Sequence, residues 1–261
     1  ERYYFRMANS VKGANVYFRT LMFRNDGSFY WRGVLHEFVE QRKKTVVEQK
    51  IFGDYYVISG RFGARSNNPQ KYFQDAQVLE KAFYSPEDED LKDRYAFYTA
   101  QSYRDADMPE KAIEWYAKRA NLGGWYEEVY YSLLQIALLK IELNAPLDEV
   151  QNLLLAAYEY RPQRAESLYH LARQLRLHDK IKLAYIYASA AVSIPLTKDI
   201  LFVNHSVYEW KAKDELAVSA YWVGNYQLCH DLCLELLANP TIPERDKQRF
   251  QENLRFAKEH M

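Results

Sequence analysis

The chain has 261 residues, of which 48% are apolar, and 35 basic side chains balance 35 acidic ones to a formal net charge of zero. This balance argues against a nonspecific nucleic-acid binder, which needs a basic surplus, and no apolar run is long enough to predict a membrane span. The first residues lack the apolar core of a signal peptide, so we expect a cytoplasmic protein of one large or two small domains.

Residues 1–90 carry the signals of β-structure. Aromatic and β-branched residues predict strands over residues 16–24 and 29–31, and a third apolar run covers residues 54–59. A basic, glycine-containing loop follows at residues 60–69. Because three strands make a poor independent sheet, we expect its other strands to come from a segment upstream or from packing against later helices.

A helix and an acidic run end this first part. Residues 71–83 have apolar residues at helical spacing, which predicts a helix. Residues 85–90 contain a proline followed by four acidic side chains. We interpret this run as a solvated linker or a helix start rather than a metal site.

From residue 91 onward, small and apolar residues recur with offsets of 3, 9 and 4. This spacing predicts helical hairpins that bury their small residues against one another. The interval between the third and fourth recurring sets is longer than the two before it, which predicts an insertion within residues 196–210. Residues 250–256 predict a helix that caps the array. The recurring sets are Ala100, Tyr103, Ala112 and Tyr116; Leu138, Ile141, Val150 and Leu154; Ala172, Leu175, Ala184 and Ala188; and Ala217, Ala220, Cys229 and Cys233.

The two cysteines of the chain, Cys229 and Cys233, lie four residues apart on a predicted helix. Their side chains share a face, but this spacing lies near the upper limit for a disulfide. We therefore interpret them as buried thiols in a reducing compartment.

Residues 97–116 place Ala100, Tyr103, Ala112 and Tyr116 where the tetratricopeptide repeat has small and aromatic residues, and this segment resembles that repeat. The resemblance covers residues 93–260. It implies a mainly α fold: a tetratricopeptide-like α-hairpin solenoid over residues 91–261, preceded by a small α+β segment over residues 1–90.

A second resemblance rests on residues 21–26 followed by 29–37, on the basic segment 61–71, and on residues 97–104 with 123–131. Together they resemble the C-terminal part of a bacterial family-2 glycosyltransferase of the GT-A type. Residues 1–90 would then form the end of its catalytic domain. The motif that carries this resemblance most directly is Trp31-Arg32-Gly33-Val34-Leu35-His36-Glu37.

The transferase resemblance implies roles for individual residues. His36 would bind the divalent metal, Mn²⁺ or Mg²⁺, since a neutral imidazole is a suitable ligand. Glu37 would be the catalytic residue that orients His36 or contacts the acceptor, and Trp31 would line the sugar site. Arg61 and Arg65 are candidates for binding a phosphate or a sugar acid, or are solvated loop charges.

The sequence departs from that family because no nucleotide-binding half with an Asp-x-Asp motif precedes residue 16, and residues 105–107 lie at a helical turn. The chain also lacks an initiating Met, so we expect it to begin inside a longer polypeptide. A nucleotide-sugar, an acceptor and a metal are expected for the intact enzyme only, and this chain alone is expected to be inactive, without a cofactor.

The alternative interpretation is a stand-alone tetratricopeptide-type adaptor that binds a protein or peptide partner, with residues 1–90 as a cap. A metal hydrolase that relies on His36 and Glu37 is least favoured, because two or three further ligands would be needed.

Overall fold

In this computed structural model, the described residues are 1–8, 17–42, 47–58, 63 and 67–261. The chain divides into two compact units, Glu1–Ala112 and Ile113–Met261. The first unit combines short strands with helices, and the second is helical. The predicted fold class, a mainly α array of helical hairpins preceded by a small α+β segment, is confirmed.

The strands of the first unit form one small sheet and one separate hairpin. In the sheet, β1 is central: β2 pairs with it in antiparallel orientation, and β5 and β6 pair with it in parallel orientation. The hairpin consists of β3 and β4. The strand bounds are β1 (Arg2–Ala8), β2 (Tyr17–Phe23), β3 (Phe29–Arg32), β4 (Phe38–Gln41), β5 (Glu48–Lys50) and β6 (Val57–Ile58).

These strands confirm part of the sequence prediction. β2 and β3 lie where strands are predicted, whereas in the third predicted run, residues 54–59, β6 is the strand among the described residues 54–58. β1, which the sequence analysis does not predict, supplies the central strand of the sheet. Its run Tyr3-Tyr4-Phe5 has the aromatic composition that favours a strand. The expectation that further strands come from elsewhere stays a prediction.

Two helices cover the hairpin side of the first unit. Helix α1 (Lys71–Phe83) matches the predicted helix, and a 3₁₀ turn (Pro86–Leu91) leads into α2 (Lys92–Asp105). The buried residues Leu79, Ala82, Leu91 and Tyr95 form a core against which Leu35 and Phe38 also pack. This core fixes the connection between β3 and β4, which contains His36.

The second unit is a series of helices in which each helix from α4 to α10 packs against the next along the chain. Helix α3 contains the division between the two units, and a π-turn (Val207–Lys211) precedes α8. Among the described residues, no helix has the length and apolar character needed to cross a bilayer. The bounds are α3 (Pro109–Leu122), α4 (Tyr126–Glu142), α5 (Leu147–Tyr160), α6 (Glu166–Leu177), α7 (Ile181–Ser193), α8 (Ala212–Trp222), α9 (Tyr226–Ala238) and α10 (Glu244–Lys258).

The predicted capping helix is confirmed as α10, which buries Phe250 and Ala257 in the last core cluster. Cys229 and Cys233 belong to the same cluster as buried free thiols, as predicted.

The same turn joins the two helices of four pairs: α2 and α3, α4 and α5, α6 and α7, α8 and α9. Its central residue has a left-handed backbone, with φ of 58° at Asp107, 54° at Asn144, 57° at Asp179 and 83° at Gly224. Asp, Asn and Gly tolerate this conformation best. The following N–H donates to the carbonyl five residues earlier, as in a Schellman motif: Met108 to Tyr103, Ala145 to Lys140, Lys180 to Leu175 and Asn225 to Ala220, at 2.8–3.0 Å.

These turns correct the predicted repeat register in the second pair. Counted back from each left-handed residue, the equivalent small residues are Ala100, Ala137, Ala172 and Ala217, and all four are fully buried. The predicted Leu138 and Ile141 are therefore one residue out of register, and both are only half-buried. The connection from Asn144 to α5 contains one extra residue, because α5 begins three residues after the left-handed residue and α3, α7 and α9 begin two residues after theirs. Val150 and Leu154 therefore still occupy buried positions. The other predicted sets are buried throughout.

Candidate functional site

The connection between β3 and β4 carries the predicted site motif. Gly33, with φ of 96°, and His36, with φ of 53°, both have left-handed backbones that reverse the chain between the two strands. Gly33 thus lies at a bend of the chain, and a Cβ at this position would be strained by the backbone conformation.

His36 is held by two residues of α2. Its ring stacks on that of Tyr98, with the centroids 3.9 Å apart and the planes 8° apart. Arg94 donates from Nη2 to the carbonyl oxygen of His36 at 2.5 Å, and its guanidinium lies 4.8 Å from the Tyr98 ring. Desolvation by these neighbours, and then the charge of Arg94, lower the pKa of His36. The imidazole is therefore neutral at pH 7, the form that could bind a metal.

The other predicted site residues surround this segment differently. Trp31 lies on β3, is 59% exposed and contacts only the edge of Phe23, with ring centroids 6.1 Å apart, among the ring pairs described. Glu37 is exposed. Arg61 and Arg65 lie outside the described residues. Within the part of the chain that is described, no group of three His, Cys, Asp or Glu side chains could hold a metal ion. The metal, catalytic and sugar-binding roles of these residues stay predictions.

Arg32, inside the same motif, has a role that the motif alone did not reveal. It forms ion pairs with Glu40 of β4 at 3.1 Å and with Asp88 and Asp90 of the acidic run. Asp88 in turn accepts a hydrogen bond from the hydroxyl of Tyr95 at 2.7 Å. The acidic run is a 3₁₀ turn that starts α2 and holds the β3–β4 hairpin against that helix.

The second candidate site is built around the predicted insertion. Residues 194–206, called the strap below, connect α7 to the π-turn before α8. Residues 194–204 have no regular helix or strand, and residues 205–206 begin the helical segment that continues into the π-turn. The strap lies against α4 and α6, the first helices of two earlier hairpins. Glu127 at the start of α4 accepts hydrogen bonds on Oε2 from the backbone N–H groups of Ile200 and Leu201, at 2.8 and 2.7 Å.

Two arginines between α5 and α6 bind the carboxylate of Asp199 in the strap. Arg161 donates from Nε to Oδ2 at 2.8 Å and makes a second contact to Oδ1, and Arg164 approaches Oδ2 at 3.4 Å. The hydrogen bond from Arg161 is the main cause that lowers the pKa of Asp199. Asp199 is therefore ionised at neutral pH and fixes the register of the strap.

Arg164 joins the strap to the interior of the array. It is fully buried and forms a bidentate ion pair with Glu166, Nε to Oε2 at 3.0 Å and Nη2 to Oε1 at 2.9 Å. Its guanidinium also donates to the carbonyl oxygens of Leu201 at 3.2 Å and Phe202 at 3.4 Å. Glu166 accepts a further bond from the backbone N–H of Asn204 at 3.1 Å.

Aromatic rings support these charges from the helix side. The guanidinium of Arg161 lies 3.9 Å from the ring centroid of Tyr126, and that of Arg164 lies 4.6 Å from that of Tyr130. The hydroxyl of Tyr208 donates to Glu166 Oε2 at 2.9 Å. Such cation–π contacts and charge-assisted hydrogen bonds are strong when solvent is excluded.

Three apolar side chains of the strap face solvent. Leu196 is 53% exposed, Ile200 81% and Phe202 53%, although the Phe202 ring also contacts Tyr131 with centroids 4.8 Å apart. Ile194 packs against the core, and Leu201 and Val203 are half-buried, so the strap is held mainly by its main chain and by one carboxylate. Chemically, the surface beneath it binds a carboxylate together with the backbone of the residues that follow.

The sequence predicts the insertion but not these contacts. Arg161, Arg164 and Glu166 lie 35 to 38 residues before the strap residues that they contact, so spacing alone does not connect them. The available signal is the set of three charged residues at the start of α6 and just before it.

Comparisons with known proteins add little to this site. No protein-family model matches the chain, and no curated protein sequence matches it. Among solved structures, a crystal structure of MamA has 13% identity and a TM-score of 0.47, covering 80% of this chain and 96% of that one. A Podospora anserina chain assigned as a kinesin light chain, with nearly identical TPR-like repeats, has 18% identity and a TM-score of 0.46, covering 67% and 89%.

Proposed function

We propose that this chain is a helical-repeat adaptor that binds a protein or peptide partner. The observation that carries the proposal is the strap itself: the array holds an irregular chain segment, bent at Leu201 and Phe202, mainly through its main-chain groups. A surface that satisfies the backbone of one such segment has hydrogen-bonding groups that a segment of a partner could use. Helical-repeat arrays commonly use extended surfaces of this kind for binding.

The transferase prediction for His36, Glu37, Trp31, Arg61 and Arg65 receives no support from the comparisons, and it remains the less favoured candidate. It predicts heat of binding when UDP-glucose is titrated into the chain with Mn²⁺ present. An adaptor without a donor site gives none.

The adaptor proposal is tested with the full chain, tagged and immobilised in extracts of its source cells, followed by crosslinking. We expect one partner protein in near-stoichiometric amount, with crosslinks to residues of α4–α9. The partner, purified separately, should bind the chain with a Kd below about 10 μM. Absence of binding by the purified partner, together with measurable binding of UDP-glucose, would overturn the proposal.

A further inference from the structure

We infer that the strap is an internal ligand, and that the surface beneath it is a binding site for a peptide that contains an Asp and bends within the three residues after it. The inference deepens the proposed adaptor function and rests on it. The site consists of Glu127 on α4, of Arg161 and Arg164 before α6, and of Glu166 at the start of α6. Its intended occupant is a segment of a partner protein with this chemistry.

The contacts define a register that another chain could reproduce. Arg161 and Arg164 bind the carboxylate of Asp199. The next two N–H groups donate to Glu127, and the carbonyl groups of residues 201 and 202 accept from Arg164. The N–H of Asn204 donates to Glu166. Apart from Asp199, every one of these groups belongs to the main chain. A competing peptide needs residues other than proline at the donating positions and must reproduce the left-handed backbone of Phe202, with φ of 46°.

The strap is not needed to connect the helices that it joins. Residues 161–165 and 239–243 make the corresponding connections from α5 to α6 and from α9 to α10, and they are much shorter than the strap. The insertion leaves Leu196, Ile200 and Phe202 exposed, and Ile194 at its start packs against the core. Replacing residues 196–203 keeps Ile194 and therefore costs the polar contacts and the half-buried Leu201 and Val203. A competing peptide can replace these contacts.

The surface beneath the strap is also partly pre-organised. Arg164 keeps its bidentate pair with Glu166, and Glu166 keeps the hydroxyl of Tyr208, whether or not the strap is present, because none of these three residues belongs to it. Arg161, Glu127 and the remaining donors of Arg164 would then face a ligand. The two arginines would bind the carboxylate of the ligand, and Glu127 would accept from two successive N–H groups of its backbone. These groups are complementary to the proposed segment.

A tethered strap competes strongly with a free peptide, since its effective concentration is on the order of millimolar. The first test therefore uses a full chain in which residues 196–203 are replaced by Gly and Ser in equal number. The probe is a fluorescent synthetic peptide with the sequence of residues 196–206. We expect saturable binding to the replaced chain, and binding at least about tenfold weaker to the wild-type chain.

Two matched peptides test the register. The peptide with Asp199→Lys should bind about tenfold more weakly or worse, because it loses its charge-assisted bonds to the arginines. The peptide with Ile200→Ser, changed at a side chain that faces solvent, should bind within about twofold of the parent. Equal binding of the Asp199→Lys and parent peptides would overturn the inference.

A second variant guards against a folding defect. Asp199→Ala in the full chain removes only the carboxylate, and it should also bind the parent peptide more tightly than the wild-type chain does. If both altered chains fold, by circular dichroism and a cooperative melt, and neither binds the peptide, the inference is wrong. Loss of folding in both would also overturn it, because the strap would then be part of the fold. Dimers of the replaced chain with its wild-type form would instead identify a second copy as the occupant.

The same chains separate this inference from the adaptor function. If the replaced chain captures the partner as the wild-type chain does but binds no peptide, the adaptor proposal stands and the internal-ligand inference fails. If the peptide binds and no partner is found, the site is present and the adaptor proposal fails.

Discussion

Arg176 on α6 and Glu215 on α8 form a bidentate ion pair, Nε to Oε2 at 2.7 Å and Nη2 to Oε1 at 2.9 Å. The pair joins the first helices of two successive hairpins. Next to it, Asp214 is paired in the same way with Arg249 of α10, with both contacts at 2.7 Å. The start of α8 is thus bound through two buried carboxylates to helices on either side of it.

Removing one partner of this pair should destabilise the array. Arg176→Met leaves the Glu215 carboxylate, 7% exposed, without its guanidinium. We expect a loss of about 2–4 kcal/mol in the free energy of unfolding, measured by urea denaturation. The double variant Arg176→Met with Glu215→Gln should recover part of this loss.

The matched control is Arg255→Gln, which removes an exposed pair with Glu259 at 3.7 Å. Its effect should stay within about 0.5 kcal/mol. Equal losses for the Arg176 and Arg255 variants would contradict the role assigned to the buried pair.

Acid should weaken the fold through His170. Burial, and then the charges of Arg173 and Lys211, lower its pKa to about 4 from an ordinary 6.5. The unfolded chain binds the proton of His170 more readily than the folded chain does. The contribution of neutral His170 to the free energy of unfolding is therefore complete above pH 6.5 and is lost as the pH falls towards 4. Between pH 7 and pH 4.5, the free energy of unfolding of the His170→Gln chain should fall by about 2 kcal/mol less than that of the wild-type chain. Urea midpoints at the two pH values measure this difference, and parallel losses would refute it.

The left-handed turn residues predict a backbone effect. Gly224→Ala should cost about 1 kcal/mol, because φ is 83° and an added Cβ meets no atom within 4 Å, so that only backbone strain contributes. Asn144→Ala should cost a similar amount, whereas Asn144→Gly should be neutral within about 0.5 kcal/mol. Thermal melts of the three variants provide the test; a stable Gly224→Ala chain would argue against the turn assignment.

The corrected register predicts which small residue is critical in the second hairpin. Ala137→Leu places a large side chain at a fully buried position and should cost about 1–3 kcal/mol. Leu138→Ala, at a half-buried position, should cost less than Leu134→Ala, which empties a site that is 5% exposed. If chemical denaturation showed a larger loss of stability for Leu138→Ala than for Leu134→Ala, it would support the register predicted from the spacing instead.

The His36 environment predicts a shifted titration. Since desolvation and Arg94 lower the pKa of His36, Arg94→Gln should raise it towards 6.5. The proton resonances of the imidazole ring, followed by NMR between pH 4 and pH 8, report the midpoint. Selective broadening of the same resonances by Mn²⁺ would support the predicted metal role, and unchanged line widths would count against it.

The sequence predicts most of the helical part because each helix depends on local patterns. Ala172 and Ala217 are fully buried, and a small residue recurs at this position in every pair. The extra residue between Asn144 and α5 is not predicted, because Leu138 and Ile141 are apolar and satisfy the offsets of 3, 9 and 4. Only the hydrogen bond from Ala145 to Lys140 reveals the true register.

The candidate site is less predictable for a physical reason. The contacts between Arg164 and Asp199, or between Glu127 and Ile200, join residues 35 and 73 positions apart and depend on how hairpins stack. β1 is missed for a related reason, since its role as the central strand follows from pairing with β2, β5 and β6 rather than from its own composition.

The shared turn has a consequence for how such a chain can change its length. Each turn satisfies its own terminal carbonyl groups within six residues, from Tyr103 to Met108 and from Leu175 to Lys180, without help from the neighbouring pair. A gene duplication with breakpoints in two successive turns would therefore add a complete, correctly closed helical module. Adding or removing whole modules keeps each buried alanine packed against the neighbouring helix, whereas a breakpoint inside a helix does not.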